Sequence, residues 1–325
     1  MLNPVFSLPY FDYFSYSEND CMLTGSRRYS KLPSITWQNN RKSFFFHIEC
    51  ARDLPSGPGK SSKIHPWHRH LVSGCVRFCQ PRLKFLGERS DYVSAVKEFL
   101  KSNADFTNCV ICPLGDAKDS GQIVAYLVAD TGISPISLKD ALEKCQPILF
   151  VDDFVGSGGQ SKRILSDWFG ESDDSNLNEG RRLTLIPEQQ EKLRSVPLAF
   201  VFAAGWKTGA DDFASACSTH GLKAKTYVHH ADDVMPTIFN QGLEQMDGFQ
   251  AFLERSKHVG RALLGAKHAT WPPEKLDDRL LGYGNKGLLI TFPFNTPSQS
   301  LTALWEDGLC DGLPWTPLLP RRPKS

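Results

Sequence analysis

Two adjacent aspartates followed by a glycine-rich loop are the residues of this chain best suited to chemistry. Asp152 and Asp153 end an apolar run that begins at Ile148, and the loop 156–160 follows after two more apolar residues. A short apolar run of this kind, followed by glycines, predicts a buried strand of a parallel sheet. Ligands of open α/β sheets bind in the crevice beyond the carboxyl ends of such strands, which is where these residues fall.

The loop and the acidic pair suit different parts of one ligand. Backbone N–H groups of a glycine-rich loop, together with the N-terminus of the helix that follows, bind phosphate groups. Carboxylates repel phosphate, but they accept hydrogen bonds from sugar hydroxyls and can coordinate a metal ion. The stretch therefore predicts a phosphorylated sugar as the class of ligand.

Other phosphate-binding or catalytic motifs fit this stretch less well. A dinucleotide fingerprint needs G-x-G-x-x-G with an acid about twenty residues later, whereas here the acids come first and the third glycine is missing. A P-loop ends in Gly-Lys-Ser/Thr, which is absent here. A nucleophile elbow has glycine two residues before its serine, but Val155 stands two residues before Ser157. A response-regulator receiver also has a strand ending in Asp-Asp, but without Gly-Ser-Gly-Gly after it. A core strand with a tight turn and no ligand is the remaining alternative, and burying two carboxylates for packing alone is unfavourable.

The pattern along the chain predicts an α/β fold with a doubly wound, mainly parallel sheet. Strand-like apolar runs alternate with segments of helical period, and parallel strands need such helical crossovers. Helices are predicted at 92–100, 122–129, 137–145, 159–168, 188–194 and 210–219, and strands at 108–114, 148–153, 197–204 and 223–229. Three regions follow: an N-terminal extension of unclear fold at 1–88, the α/β core at 89–231, and a C-terminal extension at 232–325. In the last, 232–280 is predicted to be mostly helical and 288–292 to be a late strand.

The stretch from Ile148 to Gln160 resembles the PRPP-binding motif of type I phosphoribosyltransferases. In that family an apolar strand ends in two acidic residues, two apolar residues and a small Thr/Ser/Gly loop. Gln160 departs from the pattern, because the family usually has threonine there. The resemblance implies that Asp152 and Asp153 are the catalytic carboxylates, which contact the ribose hydroxyls and serve a magnesium cofactor. It implies a 5′-phosphate site formed by Gly156, Ser157, Gly158, Gly159 and Gln160.

The same resemblance implies two further sites. The loop after the strand 108–114 corresponds to the pyrophosphate loop, with Gly115, Asp116 and Lys118 as its candidate residues. Trp206 and Lys207 follow the strand 197–204, in the region that holds the nucleobase in purine-type members. A solvated loop lysine and a tryptophan used for ordinary packing fit Lys118 and Trp206 equally well.

One departure from the family bears on activity. Ordinary type I enzymes place a strand, a long flexible loop and another strand before the acidic strand, and that loop excludes water from the reaction. Here only residues 131–147 separate the preceding helix from the acidic strand, and most of them read as one helix. The expected function is transfer of a phosphoribosyl group from PRPP with magnesium to an unidentified acceptor, with release of pyrophosphate. The alternative is a non-catalytic module that senses PRPP or a nucleotide.

A second resemblance suggests a biological setting. The segments FVDDFVGSG and GYGN, with a late FNTP…LW, are similar to phosphoribosyltransferase-like proteins found beside bacterial anti-phage conflict systems. This implies an effector that acts on nucleotides or nucleic acid, and a homo-oligomer or a defence-system partner protein. Segment 54–87 contains no acid and interleaves basic and aromatic residues, which suits single-stranded nucleic acid. The favoured alternative for that segment is a solvated basic face or a contact for the acidic loop 171–174.

Composition gives no global bias toward nucleic acid or membranes. The chain has 325 residues, of which 41% are hydrophobic and 22% charged, with a net charge of +1. No apolar run approaches the ~20 residues of a membrane span, and the N-terminus lacks the features of a signal peptide. Nine cysteines, including Cys109, Cys112, Cys145 and Cys217 in apolar segments, fit reduced thiols that pack as small core residues. Histidines and cysteines at 65–79 lack a complete zinc pattern. The reduced thiols, together with the lack of a membrane span and of signal-peptide features, predict a cytoplasmic protein.

Overall fold

A four-stranded parallel sheet forms the centre of the fold in the residues that the computed structural model describes. Those residues are 84–85, 89–115, 119–171, 183–232, 234–293 and 295–321. The strands are β2 (Val110–Pro113), β3 (Ile148–Val155), β4 (Leu198–Gly205) and β5 (Ala224–His230), adjacent in that order and all parallel. Strand β4 is buried along its whole length and β3 nearly so, because both faces of the sheet are covered by helices.

Helices lie on both faces of this sheet. One face packs against α1 (Arg89–Ser102) and α2 (Ser120–Leu127), and the other against α3 (Leu138–Lys144), α4 (Gly159–Phe169), α5 (Pro187–Ser195) and α6 (Lys207–Thr219). Alternate residues of β3 point to opposite faces, so Phe150 packs with the second group of helices and Leu149 with the first. The Phe150 and Phe200 rings stack 4.8 Å apart, which joins β3 to β4 on the same face. The predicted α/β class is confirmed.

An extended residue beside β2 sets the topology. Pro135 pairs in parallel with Ile111, and the Ile136 N–H donates to the Ile111 carbonyl at 2.9 Å. The chain thus moves from β2 outward to Pro135 through α2 on one face. It returns through α3 on the other face to β3, so its direction across the sheet reverses between β2 and β3. That reversal is the switch point of a doubly wound sheet, where ligands bind.

Three predictions about local structure need correction. Residues 131–147 are not mostly one helix, because α3 covers only Leu138–Lys144 and Pro135 lies at the sheet edge. Strand β3 continues through the acidic pair to Val155, because backbone pairing with β4 extends to Gly205. Helix α6 begins at Lys207, so that residue opens a helix and does not lie in a loop.

In the region 232–280, which is predicted to be mostly helical, helices cover just over half of the residues. Its described helices are α7 (Phe249–Lys267), the short α8 (Pro273–Asp277) and a single 3-10 turn, with turns and irregular backbone elsewhere. Many glycine, proline and aspartate residues interrupt the helical period here, which explains the irregular backbone.

The C-terminal part forms a third hydrophobic core around α7. Residues from α7 pack against Leu289, Leu301 and Trp315, next to α9 (Thr302–Trp305) and the hairpin of β7 (Gly308–Cys310) and β8 (Leu313–Trp315). The late strand is observed as β6 (Ile290–Thr291), which pairs in parallel with β1 (Lys84–Phe85). The histidine–cysteine cluster at 65–79 lies outside the described residues, as does the basic segment 54–87 apart from the backbone of β1.

Free cysteines are mostly buried, as the sequence predicts. Cys109, Cys112 and Cys217 are buried thiols, and burial raises the pKa of Cys217 to about 12. Cys145, which the sequence placed among the core thiols, is instead exposed at the end of α3, where its backbone is in the left-handed conformation at φ 52°. Within the described ranges, every helix is too short or too polar to cross a membrane.

Candidate functional site

The acidic pair lies buried at the switch point, beside the N-terminus of α2. Asp152 and Asp153 are each 3% exposed. The Ser120 hydroxyl is 2.6 Å from Asp152 Oδ1 and 2.9 Å from Asp153 Oδ1, and the Asp153 N–H donates to Asp152 Oδ1 at 2.9 Å. One hydroxyl hydrogen can be donated to only one of the two oxygens at a time. The second contact is therefore a hydrogen bond only when that carboxyl carries a proton.

Burial shifts both carboxyl groups toward their neutral forms. Burial, reinforced by the charge of Asp153, raises the pKa of Asp152 well above its usual range. Burial also raises the pKa of Asp153 to about 6, although hydrogen bonds from Ser120 and the backbone oppose the shift. Two adjacent buried carboxylates cannot both be ionised cheaply, so we expect the pair to hold a shared proton near neutral pH.

Replacing Ser120 tests this coupling. Ser120→Ala is expected to raise the pKa of Asp153 above 6 by about one unit, because a hydrogen bond to a charged group is worth roughly 1.5–3 kcal/mol. Carbon-13 NMR titration of the aspartate carboxyls measures the shift. Ser215→Ala is the matched control, since the Ser215 hydroxyl donates to the Asp211 carbonyl on the exposed surface of α6. Equal titration curves for the two variants would contradict the assigned role of Ser120.

One oxygen of the pair lacks a hydrogen-bond donor. Asp153 Oδ2 is buried and accepts no hydrogen bond from any described residue. A buried carboxylate oxygen without a donor is unfavourable, and a ribose hydroxyl or a magnesium-bound water would satisfy it. Magnesium prefers oxygen ligands and usually keeps several waters, so this donor set fits the predicted cofactor.

The predicted phosphate loop joins β3 to α4. Gly158 caps α4 with φ 71° and ψ −2°, a left-handed conformation that favours glycine, and no side chain caps the helix. The first N–H groups of α4 have no intrahelical acceptor, and the positive end of the helix dipole favours an anion there. Ser157, Gly159 and Gln160 are exposed at this end, while Gly156 is half-buried. The geometry suits a phosphate, and these residues stay predicted ligands.

The first turn of α6 holds this loop by direct backbone contact. A Cβ atom placed on Gly209 would lie 1.9 Å from the Gly156 carbonyl oxygen, and one on Gly158 would lie 2.5 Å from the Gly209 carbonyl oxygen. The Trp206 N–H also donates to the Val155 carbonyl at 2.9 Å. The loop is therefore fixed by its neighbour in the sheet and not by its own sequence alone.

The predicted pyrophosphate loop begins beside the acidic pair. The Leu114 N–H donates to the Val151 carbonyl at 3.1 Å, which places Gly115 next to β3. Gly115 has φ 95° and packs so closely on Asp119 that a Cβ would lie 2.3 Å from its carboxylate. Asp116 and Lys118 lie outside the described residues, so their predicted role stays a prediction.

The predicted nucleobase residues lie next to the phosphate loop. Trp206 is half-buried at the start of α6, and the Lys286 amine lies 4.5 Å from its ring centre. Its indole N–H is buried without an acceptor among the described residues. Lys207 exposes its side chain, and its backbone N–H donates to the Asp232 carboxylate at 3.2 Å. A base stacking on the face that Lys286 covers would have to displace that amine.

Two site residues, Ser120 and Gln299, escaped prediction from the sequence. Ser120 lay in a predicted loop, where an Asp-Ser pair before an apolar segment is a helix-start signal that points to it. Gln299 comes from the C-terminal part, and only tertiary packing brings it to the site. A Cβ on Gly156 would lie 2.0 Å from Gln299 Nε2, so this amide rests directly on the phosphate loop.

A doubly wound sheet with an acidic pair and a glycine loop at its switch point is the architecture of the phosphoribosyltransferase-like class. The model of the PRTase-CE family, a phosphoribosyltransferase-like family, matches residues 76–321, which is more than half of the chain. The protein belongs to this family. No curated protein and no solved structure matches the chain.

Proposed function

We propose that this phosphoribosyltransferase-like protein binds PRPP with magnesium and transfers the phosphoribosyl group to an acceptor with release of pyrophosphate. The observation that supports this most strongly is the orphaned Asp153 Oδ2, buried beside a glycine-bounded helix N-terminus. A hydroxyl group would donate to the carboxylate oxygen that lacks a donor, and the uncapped helix N-terminus favours an anion. One ligand that carries both groups is a ribose 5-phosphate.

Different parts of the site would bind different groups of the ligand. Asp152 and Asp153 would accept hydrogen bonds from the 2′ and 3′ hydroxyls of the ribose. The loop 156–160 and the N-terminus of α4 would hold the 5′-phosphate. The loop that begins at Gly115 would face the pyrophosphate. Magnesium, when bound, would neutralise the charge that develops on the pyrophosphate.

The proposed reaction breaks one bond and forms another at C1 of the ribose. The C1–O bond breaks, and pyrophosphate leaves with the electron pair. A nucleophilic atom of the acceptor then forms the new bond to C1 and loses its proton. Positive charge develops on the ribose during this change, and the fixed carboxylates stabilise it without reorganising.

A double variant tests this proposal. Asp152→Asn with Asp153→Asn should lower pyrophosphate release at least 100-fold, because removing preorganised charge typically costs that much in rate. Release is measured with a coupled pyrophosphate assay on PRPP and magnesium, with candidate bases and with water as acceptors. Asp247→Asn, at an exposed position before α7, is the control for a lost carboxylate. Undiminished release in the double variant would falsify the assignment of the pair.

A sensing module is the second candidate function. The observation that favours it is the short connection from α2 to β3, which among the described residues contains Pro135 and α3 but no long loop. An open site would let water capture a ribosyl cation. Calorimetry that finds PRPP binding without pyrophosphate release would select this function. An effector role in anti-phage conflict is a further proposal, and it rests on the sequence resemblance alone.

A further inference from the structure

The C-terminal part of the chain packs directly on the candidate site. Gln299 is 6% exposed, and its side-chain amide lies against the backbone of Gly156. Phe292 meets Phe154, the residue after the acidic pair, with ring centres 6.3 Å apart. Lys286 covers one face of Trp206. These contacts bring three successive C-terminal segments over the loop, the strand and the predicted nucleobase position.

Hydrogen bonds anchor the chain just before Arg321, and its side chain stacks on an aromatic ring. Two residues before it, the Leu319 N–H donates to the Leu304 carbonyl at 2.7 Å, and the Leu319 carbonyl accepts from Thr296 Oγ1 at 3.2 Å. The Arg321 guanidinium lies over the Trp305 ring at 5.1 Å, and the Trp305 indole N–H donates to the Ser300 carbonyl at 2.8 Å. Ser300 adjoins Gln299, so Arg321 rests on the same segment that contacts the phosphate loop.

The charge of the Arg321 guanidinium is not paired with any carboxylate among the described residues. Burial lowers the pKa of the Arg321 guanidinium, and the carboxylates of Glu306 and Asp153 are near enough to oppose that shift. Glu306 is already paired with Lys267 at 2.6 Å, so it has a partner of its own. Among the described residues, the Arg321 guanidinium donates no hydrogen bond and forms no ion pair. The guanidinium nitrogens are also accessible to solvent, since they make no hydrogen bond to a described residue and yet are not among the buried atoms that lack a partner.

A half-buried arginine with open donors, stacked beside the segment that contacts the phosphate loop, is arranged to bind an anionic group of a ligand. The guanidinium presents a planar fork that matches phosphate oxygens, and stacking on an aromatic ring fixes its orientation. We infer that Arg321 binds a phosphate group of the ligand and that the C-terminal part from Lys286 to Arg321 covers the site, in place of the long flexible loop for which residues 131–147 leave no room. This rests on the proposed function, because it names a ligand residue of the same site.

Binding of phosphorylated probes to the full chain tests the inference. Arg321→Gln removes the charge while keeping a long polar side chain, and it should weaken binding of inorganic pyrophosphate or ribose 5-phosphate, with magnesium, at least tenfold. Arg261→Gln is the control, because it removes an equal charge. Arg261 lies on α7 in an exposed ion pair with Asp277 of α8. Isothermal calorimetry gives the affinities, and the probe that is weakened identifies which phosphate Arg321 holds. Arg321→Lys, which keeps the charge, serves if Arg321→Gln does not fold, with a smaller loss expected.

The outcomes separate this inference from the proposed function. If both probes and PRPP bind equally well to the Arg321 variants and to the wild type, the inference is wrong and the proposed function stands. Tighter binding to Arg321→Gln would also overturn it, since Arg321 would then act as a plug that competes with the ligand. If the wild type binds none of the three compounds, both proposals are wrong. Weaker binding confined to the Arg321 variants supports the inference even if no pyrophosphate is released.

Discussion

Gly209→Ala is expected to destabilise the protein by about 3 kcal/mol and to abolish binding at the phosphate loop. The new methyl group would lie 1.9 Å from the Gly156 carbonyl oxygen and 2.9 Å from the Gly156 carbonyl carbon. Both are backbone atoms of the loop, so no side chain can rotate away to relieve the overlap. Either α6 must move off the sheet or the loop must move into the space of the ligand. Thermal unfolding and calorimetry with ribose 5-phosphate measure the two effects.

Gly265→Ala is the matched control for that prediction. Gly265 lies inside α7, and a Cβ there would meet only Leu276 Cδ2, at 3.8 Å, which is an ordinary contact. Alanine favours the helix over glycine by about 1 kcal/mol, so this variant should be slightly more stable than the wild type. The same chemical change thus has opposite signs at two helical glycines. A stable Gly209→Ala variant with normal binding would show that the loop tolerates displacement, against the role given to its contact with α6.

The centre of the fold was predictable because its signals are local. Strand β3 and strand β4 are apolar runs that end near glycines, and α3 begins at Ser137, whose hydroxyl accepts from the Asp140 N–H. Such features depend on a few neighbouring residues. The edge position of Pro135 was not predictable in this way. A single paired residue leaves no periodicity, and its meaning depends on β2, which is far away in the sequence.

The site was predictable only as far as one continuous segment reached. Asp152, Asp153 and the loop 156–160 lie together in the sequence, so their types and order carried the prediction. Gln299 comes from a segment more than a hundred residues away, and it stands in no motif of its own. The need for glycine at 209 is equally hidden, because it comes from a carbonyl oxygen on another element. Residues that complete a site from a distance are fixed by packing, which sequence patterns do not record.

Asp153→Asn is expected to stabilise the protein at neutral pH while it abolishes turnover. Asp153 has a pKa of about 6 in the folded protein against 3.8 for the free side chain, so the folded state binds its proton more tightly. Stability is therefore lost as the pH rises from about 4 to about 6, and the loss is complete above that range. Asparagine carries no charge and avoids the loss, which amounts to about 3 kcal/mol at most for a shift of this size. Removing the charge also relieves Asp152, whose pKa is raised partly by Asp153.

The pH dependence separates this effect from ordinary repacking. At pH 7.5 the melting temperature of Asp153→Asn should exceed that of the wild type by several degrees, and near pH 4 the two should coincide, because Asp153 is then protonated in the folded state. The exposed Asp247→Asn variant should match the wild type at both pH values. A gain that is equal at both pH values would mean that packing causes it, and a loss at pH 7.5 would mean that the Asp153 charge is already compensated. A gain confined to neutral pH would show that this buried carboxylate is retained at the expense of stability, as expected for a residue that binds a ligand.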